Sequence, residues 1–340
     1  VTAGEQASQI AAGLASGESR GILLGNAAVQ HPRAADLMRI AQAIAEAVDG
    51  QCGVIGEAAN SVGGYLAGAT PRAVGAVNAK ALGTDGLNAT QQMQQEMRGV
   101  VLINVEPDLD MANATAALGA LKAADTVVAL TAFHSEALMQ VADVLLPIAP
   151  FTETGGSYVN TEARLQTFNG VVRSAGQSRP AWKVLRVLAN QMDLAGFDFD
   201  SVEDVRIEAM GPSQEGGFDA QCDNAINGAL SAASVQTANG ALERIADVPI
   251  YAGDSLVRRA DSLQKTTDAA EPMARVNPQT LASLSVTTGD TVRVAANGQQ
   301  VSVPVIADAT VALGTVRLST ATVQTVSLDG MFGPVQVERA

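Results

Sequence analysis

Few side chains in this sequence have the type and spacing to do chemistry. Glu153 and Glu162 flank a glycine-bearing stretch, Gly155-Gly156-Ser157. Two carboxylates can divide acid and base roles between them, but at this spacing they serve equally to cap loop amides, and that is the reading adopted. Ala59-Asn60-Ser61-Val62-Gly63 has the outline of a nucleophile elbow without its first glycine, and neither His31 nor His134 has a context that marks it as the base. His134 and Ser135 are adjacent, yet neighbours at a helix start point in different directions, so His134 reads as a surface or packing residue. The two cysteines, Cys52 and Cys222, make neither a disulfide framework nor a C-x-x-C metal site. With two histidines no zinc spacing can be assembled. Both thiols are expected to be buried, as free cysteine packs like a small hydrophobe, in a cytosolic protein. There is no G-x-G-x-x-G and no P-loop, so an independent NAD-binding enzyme is not supported.

The stretch that must position most of these groups is ADVLLPIAPFTETGGSYVNTEAR, Ala142 to Arg164. Val144-Leu145-Leu146 reads as a strand that Pro147 stops by removing a backbone donor. A glycine and polar loop is expected after it, the arrangement by which an open α/β sheet builds a ligand crevice. Upstream, strand and helix signals alternate. Gly21 to Leu24, Gly53 to Gly56, Gly99 to Asn104 and Asp125 to Leu130 are short apolar strands. Between them, Leu37, Ile40, Ile44 and Val48 recur at helical spacing, as do Ala114, Ala117, Leu118 and Leu121. Ser135 is placed to cap a short helix. Pro180 starts another, with Trp182, Leu185, Leu188 and Met192 on one face. Strands alternating with helices predict a parallel sheet with helices on both faces.

The texture then changes. Gly211 to Gly240 is rich in small polar residues and reads as a connection with a weak helix over 225–233. Past Asp247, period-two alternation in Thr291 to Val294, Val301 to Val303 and Thr315 to Leu318, with Asn297-Gly298 as a hairpin signal, predicts a small barrel. The expected division is an α/β domain over residues 1–212, a connecting segment over 213–246 and a β-barrel domain over 247–340.

The 340 residues carry a net charge of −14, which argues against nucleic acid, whose phosphates demand a basic face. No run reaches the ~18 apolar residues of a membrane span. The opening VTAGEQASQ has neither an initiator Met nor a basic-then-apolar leader. It is read as the start of a later part of a longer protein, without a secretory signal.

Several segments in fixed order resemble the molybdopterin oxidoreductase superfamily. Gly25-Asn26-Ala27-Ala28-Val29-Gln30-His31 is similar to its first post-strand loop, and Gly56 to Gly63 to its G-x-x-N-x-x-G loop. Asn104-Val105-Glu106-Pro107 stands where relatives carry Gly-Glu-Asn-Pro. Ala142 to Arg164 is similar to ADVVLP…E-x-x-x-G-T-x-x-N-x-E-G-R, with Ser157 for the Thr and Ala163 for the Gly. Asn277 to Val294 resembles the opening of the family's C-terminal pterin-dinucleotide domain, a double-psi barrel. Ala58 to Gly68, Val248 to Thr266 and the ending Met331-Phe332-Gly333-Pro334 narrow the resemblance to the large iron–sulfur subunits of bacterial NADH–quinone oxidoreductase (respiratory complex I).

The resemblance implies a pterin site at Asn60, Ser61, Gly63, Asn104, Pro107, Gly156 and Asn160. Neither cysteine aligns with the family's metal-ligand position, and Leu130-Thr131 stands where cofactor-loaded relatives carry Gln-Asp. The site is therefore expected to be vestigial and empty, with no catalytic residue, no metal ligand and no cofactor in this segment. Iron–sulfur clusters are expected in an N-terminal part of the full subunit. The implied role is structural and docking, within the NADH-to-quinone electron-transfer complex that is coupled to proton translocation. The implied partners are the other subunits of its peripheral arm, with no nucleic acid and no direct membrane insertion. The implied place is the cytoplasmic side of the inner (plasma) membrane. The alternative is the C-terminal part of an active molybdopterin-dependent oxidoreductase of formate dehydrogenase type.

Overall fold

The computed structural model describes residues 4–71, 86–211, 217–223 and 241–340. Helix α1 (Glu5–Ser16) leads into β1 (Gly21–Leu24), α2 (Asn26–Val29), α3 (Ala34–Ala47) and β2 (Gln51–Val54), followed by α4 (Ser61–Leu66) and α5 (Ala89–Met93). Next come β3 (Gly99–Ile103), α6 (Pro107–Asp110), α7 (Ala114–Ala123), β4 (Thr126–Thr131), α8 (Glu136–Val141) and β5 (Val144–Pro147). The strands pair in parallel, as the alternation predicts, but in two separate ladders. One joins β1 to β2, with Ile22 beside Cys52 and Leu24 beside Val54. The other runs β3-β4-β5, with Leu102 beside Ala129 and Ala129 beside Leu145.

Parallel neighbours require crossovers, and helices supply them here. Leu121 of α7 and Leu138 of α8 pack on Leu102, Val127 and Ala129 in one buried cluster. Both helices are started by side chains: the Asn113 carbonyl accepts from Ala116 N at 2.7 Å and the Ser135 hydroxyl from Leu138 N at 3.2 Å. Ser135 thus has the capping role the sequence suggests.

Helix α3 departs from its predicted face. Asp36, Ala41 and Ala45 are its buried residues, while Ile40 and Ile44 are exposed. Its alanines, four apart and so on one face, let it lie close to β1 and β2, which turns the wider side chains outward. Burial of the two thiols is also corrected. Cys52 is half-buried because its strand belongs to a ladder of two, and Cys222 is exposed beyond the 3-10 turn Asp219–Gln221.

The stretch after β5, expected as a loop, is a hairpin. β6 (Gly156–Val159) pairs antiparallel with β7 (Leu165–Phe168), with Tyr158 beside Gln166 and the rings of Tyr158 and Phe168 5.0 Å apart. Gly156 is needed because a Cβ there would lie 2.6 Å from the Phe168 ring. α9 (Ala181–Gln191) follows Pro180 and α10 (Val202–Met210) follows a Ser201–Asp204 capping box. Trp182, Leu185 and Leu188 are half-buried, whereas Met192 lies beyond the last turn of α9 and is exposed.

The last third is a closed six-stranded barrel in the order β10-β11-β9-β12-β8-β13. Its strands are β8 (Leu242–Ile245), β9 (Ala274–Val276), β10 (Thr291–Ala296), β11 (Gln299–Ala307), β12 (Thr315–Arg317) and β13 (Phe332–Arg339), with α11 (Asp261–Gln264) and α12 (Pro278–Ser283) between them. Asn297 and Gly298, at φ 52° and 79°, are the two-residue turn from β10 to β11 that their types predict. Val276, Val292, Val294, Val305, Val316 and Leu318 fill the interior. The strand β8 lies inside the stretch expected as a connection over 213–246, so the barrel takes a strand from upstream of 247. The helix expected over 225–233 lies outside the described residues.

Candidate functional site

In open α/β sheets ligands bind beyond the carboxyl ends of the strands, and the loops there gather three groups of polar residues. The first joins the loop after β2 to the β6–β7 hairpin. Asn60 Oδ1 accepts a hydrogen bond from Val159 N at 2.8 Å. Gly63 makes that possible, since a Cβ there would stand 2.1 Å from the same oxygen. The Ser61 hydroxyl donates to Ala58 O at 3.2 Å. Asn160 Oδ1 accepts from Glu162 N at 3.1 Å and Arg164 N at 3.0 Å, which fixes the hairpin turn. Beneath the turn, Leu66, Val159, Ala163, Met210 and Phe218 form a buried cluster. Ala163 has φ 59°, a backbone region glycine enters without strain, and it is the position where the sequence pattern has Gly.

The second group is built on the loop after β3. Asn104, at φ 53°, donates its N–H to Leu130 O at 2.8 Å and accepts from the Ser255 hydroxyl at 3.5 Å. Glu106, 2% exposed, is the centre. Its carboxylate takes Arg258 Nη1 at 2.7 Å on one oxygen and Arg259 Nη2 on the other. Arg258 also donates to Asp110, whose other oxygen accepts from Glu106 N at 2.7 Å. The Arg259 guanidinium stacks over Phe133 at 4.8 Å and donates to Ser255 O at 2.9 Å and His134 O at 3.3 Å. Pro107, just past Glu106, is buried at the first position of α6. Burial alone would raise the Glu106 carboxyl, but the hydrogen bonds and charges of Arg259 and Arg258 outweigh it and hold the group below its ordinary range. Burial also raises the neighbouring Asp108, with the charge of Glu106 adding to it.

The third group touches the barrel. Gln30, after β1, donates to Glu57, after β2. Burial and the nearby charge of Asp247, beyond β8, raise the Glu57 carboxyl. His31 packs edge-on against Phe332 of β13, with ring centroids 5.0 Å apart. Gly330 N donates to Ala112 O at 2.6 Å from the other side of the junction. That loop is held by Arg244, 1% exposed, whose guanidinium donates to Gly330 O at 2.8 Å, Ser319 O at 3.3 Å and Leu318 O at 3.4 Å. Burial draws Arg244 down to about 10, so it is charged at neutral pH.

Of the residues singled out in the sequence, Asn60, Ser61, Gly63 and Asn160 lie where the loop after β2 meets the hairpin turn, Gly156 lies at the other end of β6 against Phe168, and Asn104 and Pro107 belong to the loop that carries Glu106. Glu153 accepts from Ala175 N at 3.0 Å and Asn160 Nδ2 reaches Glu162 at 3.4 Å, so both carboxylates brace loops, as read from their spacing. Among the described residues no group of three His, Cys, Asp or Glu side chains is placed to hold a metal ion. Sequence reasoning misses the partnership of Glu106 with Arg258 and Arg259, which are 152 and 153 positions away. The one local signal is an adjacent arginine pair in an acidic chain.

The family model for molybdopterin oxidoreductase matches residues 7–191. The α subunit of an F420-dependent formate dehydrogenase from Methanococcus maripaludis is 39% identical over 87 residues, 25% of this chain and 13% of that protein. A subunit of the NADH-quinone oxidoreductase of Mycobacterium bovis is 29% identical over 231 residues, 65% of this chain and 26% of that protein. The mitochondrial 78 kDa subunit of NADH-ubiquinone oxidoreductase from Candida albicans is 34% identical over 83 residues, 24% of this chain and 11% of that protein. The matched stretches thus span about a quarter or less of these relatives' length. Acetylene hydratase from Pelobacter acetylenicus superposes with a TM-score of 0.54 at 15% identity, over 83% of this chain and 51% of that one, a likeness of fold. With more than half of its length matched by the family model, the chain belongs to the molybdopterin oxidoreductase family.

Proposed function

We propose that this chain is the molybdoenzyme-like part of a large NADH–quinone oxidoreductase subunit. It acts there as a structural and docking module, with its pterin crevice given over to internal contacts. The observation that carries the reading is the Glu106 cluster. A pterin dinucleotide needs free cations and backbone amides for its phosphates and a ligand side chain for its metal. Here the two arginines at the crevice are spent on Glu106 and Asp110. The glycine of the hairpin faces Phe168. Cys52 lies within a strand and Cys222 is exposed past the turn Asp219–Gln221. Three carboxylates, Glu106, Asp108 and Asp110, cap and begin α6, where they oppose a phosphate. The residues present do not fit the group.

In this reading electron transfer belongs to iron–sulfur clusters elsewhere in the subunit, and the neighbours are the other peripheral-arm subunits on the cytoplasmic face of the membrane. No helix among the described residues is long and apolar enough to cross a bilayer, and a net charge of −14 opposes binding to anionic headgroups. The 39% match to a formate dehydrogenase subunit favours the second reading, a working molybdopterin enzyme. Ser61→Ala tests the first reading. In the assembled complex it leaves NADH–quinone turnover unchanged on the docking reading, and a large loss of turnover with assembly intact would contradict that reading.

A further inference from the structure

The chain's charge is unevenly placed. From Ala163 to Met192 there are five cations, Arg164, Arg173, Arg179, Lys183 and Arg186, and no carboxylate, in a chain whose net charge is −14. Elsewhere among the described residues, Arg98 pairs with Asp125, Arg293 with Glu338 and Arg317 with Asp247. Within the run only Arg186 reaches an acid, Asp200 at 3.9 Å. Arg164, Arg173, Arg179 and Lys183 are exposed and pair with no carboxylate among the described residues. Glu153, whose loop packs on this segment, has its carboxylate on Ala175 N. The same segment exposes apolar surface: Val171 and Val172 are 81% and 59% exposed and lie against Thr152 through backbone hydrogen bonds, next to exposed Phe151.

We propose that the segment from Val171 to Lys183, with Phe151 beside it, is a docking surface for an acidic protein. Val171 and Val172 would enter an apolar contact, and Arg173, Arg179 and Lys183 would meet carboxylates around it. This inference concerns a different surface from the crevice and does not depend on the crevice being empty. Arginine is the side chain suited to a bidentate grip on carboxylate and is enriched at protein interfaces. A membrane or a nucleic acid fits less well. Either presents an extended anionic field that the strongly acidic remainder of this chain would meet as repulsion, whereas a protein need match only the charges within a Debye length of ~8 Å.

The test is a photo-crosslinking amino acid at Val172 in the full-length protein, expressed in its own host, with adducts mapped by mass spectrometry. The expected adduct is an acidic segment of another protein. Its yield falls at least about tenfold in an Arg173→Glu/Arg179→Glu/Lys183→Glu variant, because the charges steer and hold the contact. That variant keeps its thermal unfolding curve, since the three side chains face solvent. An adduct on a subunit of the oxidoreductase supports both this surface and the proposed assembly. A charge-dependent adduct on an unrelated acidic protein supports the surface and contradicts the assembly. Adducts on lipid, on nucleic acid, on a second copy or within the same polypeptide overturn the proposal, as does a yield insensitive to charge reversal.

Discussion

Glu106→Ala probes the crevice most sharply. Glu106 is 2% exposed, and its arginine partners are 10% and 33% exposed at their side chains. Removing one member of a buried pair typically costs about 3–5 kcal/mol, because the remaining charge is left without compensation. Here the loss belongs near the lower figure. Arg258 keeps Asp110, and Arg259 keeps the Ser255 and His134 carbonyls and the Phe133 ring. We expect about 3 kcal/mol, read from urea unfolding followed by the fluorescence of Trp182, the one tryptophan of the chain. Replacing Glu106 and both arginines together, Glu106→Leu with Arg258→Met and Arg259→Met, should recover most of that loss, since well-packed apolar residues often equal a buried ion pair. Acid provides the same test without substitution. The folded carboxyl lies below the 4.5 of an unperturbed glutamate. Its contribution is therefore complete above that value and is lost as the pH falls through the lower, folded pKa. A loss under ~1 kcal/mol in Glu106→Ala, or an unchanged acid limb in that variant, would refute the reasoning.

Ala163→Gly should leave stability unchanged or raise it by up to ~1 kcal/mol, against the usual cost of a new glycine, because it relieves the left-handed backbone at φ 59°. Ala163→Val should cost about 2 kcal/mol or more at this buried site, and thermal unfolding of the pair reads both; a clear loss in the glycine variant would sink the account. Arg244→Met should cost roughly 3 kcal/mol, leaving the carbonyls of Leu318, Ser319 and Gly330 without their donor. It should also speed hydrogen exchange at Gly330, whose amide bonds Ala112; wild-type exchange there would argue that the loop is held by other contacts.

How much of this is legible in the sequence follows from the range of the interactions. Gly21-Ile22-Leu23-Leu24 and Asn297-Gly298 announce a strand and a turn because their signals are local, and both occur where expected. Ser135 likewise caps the helix that its type suggests. The face of α3 escapes a hydrophobic pattern because Ala41 and Ala45, small enough for close approach, carry less signal than Ile40 and Ile44. The β6–β7 hairpin is hidden because Gly156 looks like a loop residue until Phe168 is placed over it. At the candidate site, Asn60, Ser61, Gly63, Gly156 and Asn160 are named by the family resemblance, and the fold ties Asn60 to the β6–β7 hairpin through Val159. The resemblance places Asn104 and Pro107 with them, whereas Asn104 bonds Leu130 and Ser255 and Pro107 follows Glu106 at the start of α6. No window of sequence joins Glu106 to Arg258 and Arg259. That contact exists only once the segment between β8 and β9 is laid across the ends of β3 and β4.

Cofactor content tests most directly whether this is a molybdoenzyme fold retained for docking, with its crevice filled by its own side chains. The full-length protein should be purified from its own host and assayed for molybdenum, tungsten, pterin and iron. The predicted result is iron without molybdenum, tungsten or pterin. One molybdenum or tungsten per chain, accompanied by pterin, would contradict that claim and return the loops at Asn60, Asn104 and Gly156 to cofactor binding.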